Sequence, residues 1–241
     1  MDWFSNRITS RYVVMLNFAC VYYGDKYTFP YVRNLHSMVE RNLKVPHRFI
    51  CFTDNTVIHK RKEFKNTNIE FKPFKRHDFN GWFNKLQLFS PQSELEGDTL
   101  YMDLDVVIMK NIDCFATIGE SKNFVGMNDF NPTTGNFNSS IMRFNNQYHS
   151  LIWEQYLKRK TEFNSSHGDQ EIITALIKKH EDTISFPDEW TQSYKWLNRK
   201  GERYHIDKMT YEEDTNAKVC VFHGNPNPHE STQLWVKNHW C

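Results

Sequence analysis

Residues Thr99 to Asp113 read TLYMDLDVVIMKNID, a nearly unbroken apolar run with two carboxylates set inside it. Leu100, Met102, Leu104, Val106, Val107, Ile108 and Met109 become β-branched toward the end, which predicts a strand in a sheet interior. An unpaired buried carboxylate is costly and tends to protonate, so Asp103 and Asp105 need a neighbour that favours their charge. Residues i and i+2 of a strand project to one face, and a strand that ends or bends near Leu104 aims both at one spot. Two carboxylates at one spot repel each other or bind a cation. Hard oxygen ligands of this kind suit Mg²⁺ or Mn²⁺, with substrate phosphates completing the shell. The alternative is a strand end where both aspartates are solvated, and an Asp-x-Asp is by itself too short to decide.

Outward from this run the chain alternates strands and helices. Arg11–Phe18 (RYVVMLNF) predicts a first strand, and Phe29–Asn42 a helix, with Tyr31, Leu35, Met38 and Val39 at helical spacing and Pro30 in its first turn. Arg48–Thr53 predicts a second strand, Ile69–Pro73 a third, and Gly81–Phe89 a short helix feeding the Thr99 strand. Phe124–Met127, Ser140–Phe144 and Lys218–Phe222 predict further strands, and Tyr148–Lys160 and Gln170–His180 helices. This order predicts an α/β sheet covered on both faces, with ligands gathered at the carboxyl ends of the strands. The polar residues at those ends are Asn17, Thr53–Asp54, Asp103–Asp105, Asn138–Ser140 and His223.

Composition narrows the function classes. The 241 residues, 39% hydrophobic, suffice for a substantial core, and a formal net charge of +1 lacks the basic excess of a nucleic-acid binder. One local exception is HKRKEFKNTNIEFKPFKR, His59–Arg76, where cations and Phe interleave; a solvated strand-and-loop edge is its expected reading, ahead of a membrane or nucleic-acid patch. Five widely spaced cysteines without a CxxC pair predict free thiols in a cytoplasmic protein. No signal-peptide core opens the chain and no segment is apolar enough to span a bilayer.

Three further motifs carry chemistry. VFHGNPNPHE, Val221–Glu230, puts His223 at a strand end before a Gly/Pro loop; a lone His is more often structural, but one so placed is better set than most to complete an N,O metal site. NFNSSIMRF holds small polar side chains just before a strand. HGDQEI starts a helix with Asp169 and Gln170, where Asp169 is a site residue or an N-terminal cap.

Taken together, Asp103-Leu-Asp105, Asn138-Ser-Ser, Gly168-Asp-Gln and Phe222-His-Gly resemble the GT-A glycosyltransferases of the glycogenin and galactosyltransferase-like (family 8-like) group. Bacterial and phage-type glycosyltransferases are more similar still, at Tyr31-Val-Arg-Asn-Leu, Arg48-Phe-Ile-Cys-Phe-Thr-Asp, Gly81-Trp-Phe-Asn-Lys, Tyr101-Met-Asp-Leu-Asp, Ser193-Tyr-Lys-Trp and the His-Gly-x-Pro-x-Pro loop. The resemblance runs from about Tyr12 to Trp240. It implies a single Rossmann-like domain with a mixed central sheet over 1–241, a short N-terminal extension at 1–10, and a loop and short helix at 225–241 closing the donor site. It implies Mn²⁺ or Mg²⁺ held by Asp103, Asp105 and His223, and a UDP-sugar donor. Asn17, Phe18, Thr53 and Asp54 would surround the base, Lys85 would reach the ribose or diphosphate, and Leu104 and Gly224 would flank the donor. Asn138, Asp169 and Gln170 would contact the transferred sugar. Related enzymes often carry a Lys after the His-Gly; here Asn225 and Asn227 stand there, leaving Lys195 or Lys237 to substitute. Ala19-Cys-Val-Tyr-Tyr also replaces the Gly-rich opening after the first strand.

The implied activity is hexose transfer from a nucleotide diphosphate sugar to a glycan, lipid-linked or protein acceptor hydroxyl, with retention. Front-face attack would be supported by Gln170 and Asp169; an inverting enzyme would instead need a base such as Asp129, Asp188 or Glu189. A metal-dependent nucleotidyltransferase also uses an Asp-x-Asp strand, but adds a Gly-Ser and a third strand carboxylate that are missing here. A non-catalytic nucleotide-sugar-binding module accounts for pocket residues but not for a metal triad.

Overall fold

The computed structural model describes residues 15–163, 166, 168–178, 182–196 and 216–241. Strand β1 (Leu16–Tyr22) leads into helix α1 (Phe29–Asn42), followed by β2 (His47–Thr53), β3 (Ile69–Pro73) and β4 (Asp98–Met102). Then come β5 (Val106–Ile108), α2 (Asp113–Thr117), β6 (Phe124–Asn128), β7 (Phe137–Asn145), α3 (Asn146–His149), α4 (Leu151–Lys158) and α5 (Asp169–Ile177). The chain ends with β8 (Thr183–Ser185), β9 (Thr191–Ser193), β10 (Val219–Val221) and α6 (Leu234–His239).

Seven strands form the central sheet in the order β3-β2-β1-β4-β7-β6-β8. β1 to β4 run parallel and β7 antiparallel to its neighbours β4 and β6, so the sheet is mixed. The chain winds outward from β1 through β2 to β3 and then returns to β4 on the other side of β1. That reversal makes a crevice at the carboxyl ends of β1 and β4, the place where open α/β sheets bind ligands. One buried cluster packs α1, β5, β10 and α6 on one face, including Leu35, Met38, Val107 and Val236. The other packs the 3₁₀ turns of Gly81–Phe89 with α4 and α5, including Leu86, Phe89, Ile152 and Ile173.

The Thr99 run is not one strand. β4 stops at Met102 in the central sheet, and β5 belongs to a three-stranded sheet, β5-β10-β9. Leu104, 1% exposed, pins the turn between them in the core, and the two aspartates flank it. The expected first strand lies later than Arg11–Phe18: β1 begins at Leu16, and 11–14 fall outside the described residues. β8 and β9 are three-residue strands too short and polar for hydrophobic periodicity to reveal.

Candidate active site

The crevice is a cavity of about 490 Å³. β4 delivers Asp103 to it, the turn into β5 delivers Asp105, and β10 delivers His223 from the far end of the chain. The joint is made by backbone: Phe222 N–H donates to Asp105 O at 3.0 Å, continuing the β5–β10 ladder (Val106 opposite Val221) and bringing His223 beside the aspartates. On the other side Asp103 N–H donates to Ser140 O at 2.9 Å. Just there the β6–β7 register shifts, with Gly126 opposite Met142 but Met127 opposite Asn138. The irregularity lets Asn138, Ser139 and Ser140 reach the crevice from the interior of a long strand. Gly126 is required for it, because a Cβ there would meet the Phe137 ring at 2.5 Å.

Lys85 is the electrostatic centre. Its Nζ lies 2.9 Å from Asp103 Oδ1 and 3.0 Å from Asp169 Oδ2, and donates to Ser139 O and Oγ at 3.2 and 3.1 Å. Burial alone would lower the Lys85 pKa, but the Asp103 and Asp169 charges outweigh it and hold the ammonium above its ordinary value. Burial likewise works against the Asp103 carboxylate, yet Lys85 and hydrogen bonds from Tyr101, Lys85 and Ser140 bring it below the usual range. Tyr101 OH donates to Asp103 at 2.5 Å. Asp105 behaves oppositely: burial and the neighbouring Asp103 charge push it up to about 6, against Lys26, a hydrogen bond from Tyr27 and Lys85. Tyr27 OH donates to Asp105 Oδ2 at 2.8 Å, and burial next to that carboxylate keeps the phenol protonated.

Asn138, Asp169, Gln170, Lys85, Asp103, Asp105 and His223 therefore share the crevice, as the motifs suggest. Asn17 and Phe18 do not. With β1 shifted later, Asn17 is fully buried at the strand's start, bonded to Glu96 O, Asp98 O, Thr99 and Arg48, and Phe18 stacks on Phe49 in the core. The crevice end of β1 is instead Val21 and the turn Tyr23–Tyr27. The Leu104 side chain lies in the core and lines neither the crevice nor the cavity beside it. Thr53 is buried and accepts from Asn55 N, while exposed Asp54 accepts from Gly24 N at 3.3 Å and sits in a neighbouring hollow with Tyr27. Residues to which sequence reasoning gave no role are Tyr27, Tyr101 and Trp82. Tyr101 had a signal, since it lies two residues before Asp103 on the same strand face; the loop residue Tyr27 had none.

A second cavity of about 400 Å³ shares Asn138, Gln170 and His223 with the first and adds Asp129, Lys195 and Trp196. Gln170 Nε2 donates to Asp129 Oδ2 at 3.0 Å, which fixes the amide between the two spaces. Lys195 Nζ donates to the His223 carbonyl, and the Gly224 Cα side faces that ammonium. Asp188 accepts from Asn128 and, with Glu189, lines neither cavity.

No protein-family model matches the chain, and no curated protein matches its sequence. Solved structures do match. The galactosyltransferase LgtC in complex with donor and acceptor sugar analogues aligns with a TM-score of 0.61 at 14% identity, covering 92% of this chain and 93% of that one. An active-site mutant of LgtC gives 0.62 at 13% identity with the same coverage. The glycosyltransferase GlyE of Streptococcus pneumoniae TIGR4 gives 0.60 at 12%, covering 94% of this chain and 61% of that one. The chain has the GT-A glycosyltransferase fold. On this GT-A frame, the two aspartates follow the central strand β4, and the late histidine returns on β10 to meet them. Among the described residues no three His, Cys, Asp or Glu side chains stand close enough to hold an ion unaided. The GT-A crevice instead supplies two carboxylates close enough to raise one pKa, together with an imidazole.

Proposed function

We propose that the chain is a metal-dependent glycosyltransferase that moves a hexose from a UDP-sugar to an acceptor hydroxyl with retention. The observation that supports this most is the junction of Asp103, Asp105 and His223 in one crevice whose opposite wall is the Lys85–Asp169 pair and Gln170. The donor types suit Mn²⁺ or Mg²⁺: burial and the Asp103 charge raise Asp105, a cation would relieve both, and phosphate oxygens of the donor would complete a shell that the side chains alone do not close. When bound, the ion supplies Lewis acidity for the charge that grows on the departing phosphate.

The remaining work falls to the chain's own side chains. Tyr101 and Lys85 hold Asp103 in one orientation, and Tyr27 does the same for Asp105. Lys195, anchored on the His223 carbonyl, places a positive charge at the His223 turn, between the crevice and the second cavity, as the candidate for the missing loop lysine. Asp169, fixed by Lys85 at the start of α5, accepts from sugar hydroxyls, and Asn138 reaches the same space. Gln170, held by Asp129, sits between the donor cavity and the second cavity, which takes the acceptor. Its amide is suited to support an oxocarbenium-like sugar during front-face attack. The loop and α6 of 225–241 close the donor side.

Incubation with a panel of nucleotide sugars and Mn²⁺ tests this reading. Release of UDP from a UDP-hexose, abolished by chelation and by Asp105→Asn, is expected. Pyrophosphate release from nucleotide triphosphate and sugar phosphate would assign a nucleotidyltransferase, and metal-independent binding without turnover would assign a binding module.

A further inference from the structure

We propose that the segment Val57–Lys65, on the rim of the sheet, docks the chain on an anionic lipid bilayer. The sequence alone presents a basic stretch from His59 to Arg76 that looks uniform, but the fold divides it. In the later half each cation is answered: Lys72 and Lys75 both pair with Glu94 at 3.2 and 3.3 Å, and Arg76 pairs with Asp78 at 2.7 Å. In the earlier half Lys60, Arg61, Lys62 and Lys65 are all exposed, and one carboxylate stands among them, Glu63, at 3.8 Å from Arg61. Lys60, Lys62 and Lys65 join no ion pair among the described residues. A chain of net charge +1 thus concentrates unanswered cations on two consecutive 3₁₀ turns, Ile58–Lys60 and Lys62–Phe64.

The turns are built to keep those cations outward. Ile58 and Phe64 are buried anchors, 1% and 5% exposed, and the Arg61 guanidinium lies over the Phe29 ring at 3.4 Å. Beside the cations stands Val57, an apolar side chain 55% exposed. Cations flanking an exposed aliphatic tip match an interface where headgroup phosphates lie above acyl chains. The same surface suits nucleic acid poorly, since Phe64 is buried and Phe29 is covered, leaving His59 alone among the segment's rings open to a base. The segment follows β2, so it starts at the carboxyl edge of the sheet where the crevice lies, before the chain returns to the amino edge to enter β3. Asp54 and Asn55, just before it, share a hollow with Tyr27, which also lines the crevice. Docking through this rim holds the crevice near the bilayer surface.

Vesicle co-sedimentation of the full chain tests the proposal without nucleotide, metal or turnover, so its failure and a failure of glycosyl transfer are read separately. Vesicles of phosphatidylcholine with about 30% phosphatidylglycerol should bind the chain, pure phosphatidylcholine vesicles should not, and binding should fall as salt rises from about 0.05 to 0.5 M. Lys60→Glu, Lys62→Glu and Lys65→Glu should each weaken the partition about fivefold or more. Lys122→Glu, on an exposed cation elsewhere that pairs with Asp182, should leave it unchanged. Equal binding to both vesicle types, binding indifferent to the three reversals, or tighter capture by an oligonucleotide than by anionic vesicles overturns it. A melting curve of each variant establishes that the fold is intact.

Discussion

Lys85 and Asp169 form an ion pair at 3.0 Å between side chains that are 6% and 7% exposed. The sequence predicts that Lys85→Ala weakens donor binding without harming the fold, because the charge would face phosphate. The structure changes that expectation: the ammonium is sealed between two carboxylates, and its removal leaves buried Asp169 without its cation and Asp103 with only its hydrogen bonds from Tyr101 and Ser140. Breaking such a pair costs about 3–5 kcal/mol, or about 10 °C of melting temperature for a chain of this size. Lys85→Ala/Asp169→Asn should recover part of the loss, because one buried charge fewer is then unpaired. Thermal melts of the two variants decide it; a Lys85→Ala protein as stable as wild type would return Lys85 to a purely ligand-facing role.

The paired aspartates also set a pH dependence. Burial and Asp103 raise Asp105 to about 6, above its ordinary carboxylate value. A raised folded value means the native state holds that proton more tightly. The contribution of Asp105 to stability is therefore full below about pH 4 and is lost as pH rises through about 6. Asp103, held low by Lys85 against burial, runs the other way and loses its contribution only as pH falls below about 4. A cation must displace the Asp105 proton below its pKa and need not above it. The melting-temperature gain from Mn²⁺ with UDP should thus grow between about pH 5 and 7, and Asp105→Asn should flatten it. An equal gain at both pH values in the wild type counts against Asp105 as a ligand.

Lys195 gives a third test. Its ammonium is fastened to the His223 carbonyl and lines the second cavity together with His223. If it faces the diphosphate, Lys195→Ala should weaken UDP binding about tenfold, in the range of one charge-assisted hydrogen bond, and leave uridine binding untouched. Calorimetry with the two ligands separates the cases. Equal losses for UDP and uridine would mean that the substitution merely loosens the His223 turn.

Much of this site was legible because chemistry and periodicity agree at particular residues. Helix α1 lies at Phe29–Asn42 as its apolar spacing and Pro30 require, and β3 at Ile69–Pro73. The polar strand ends at Asp103, Asp105 and His223 were visible as charges where hydrophobicity predicted none. What stayed hidden depends on pairing between distant segments. An apolar run cannot show that it divides between two sheets, since Met102 and Val106 are equally buried in both. The irregularity between Asn138 and Met142 leaves no local mark; its one sign is Gly126, opposite it on the partner strand but distant in sequence. Asn17 misled because a polar residue inside an apolar run reads as a strand end, when here it is a buried amide knitting β1 to the carbonyls before β4.

The last test joins the two histidines of the C-terminal loop. His229 looks dispensable from sequence, and its side chain is exposed, yet Nδ1 meets the Tyr31 hydroxyl at 2.6 Å, and the Trp240 ring packs edge-on against Tyr31 at 5.0 Å. Tyr31 in turn packs against Tyr27 at 4.7 Å, whose hydroxyl holds Asp105. The C-terminal segment that carries His223 is thereby fastened to Tyr31 of α1, whose ring backs the loop residue Tyr27 that holds Asp105. His229→Ala should cost about 1 kcal/mol of stability, the worth of one hydrogen bond, with metal affinity little changed. His223→Ala should leave the melting temperature of the metal-free protein almost unaltered, because the Phe222–Asp105 backbone bond persists. It should instead remove the positive coupling between Mn²⁺ and UDP, since one of the three protein ligands is gone and neither ligand then prepares the site for the other. Calorimetry of UDP binding with and without Mn²⁺ on both variants measures this directly. Full coupling in His223→Ala would reduce His223 to an ordinary strand-end residue, and loss of coupling in His229→Ala would show that the Tyr31 contact positions the site rather than merely bracing the fold.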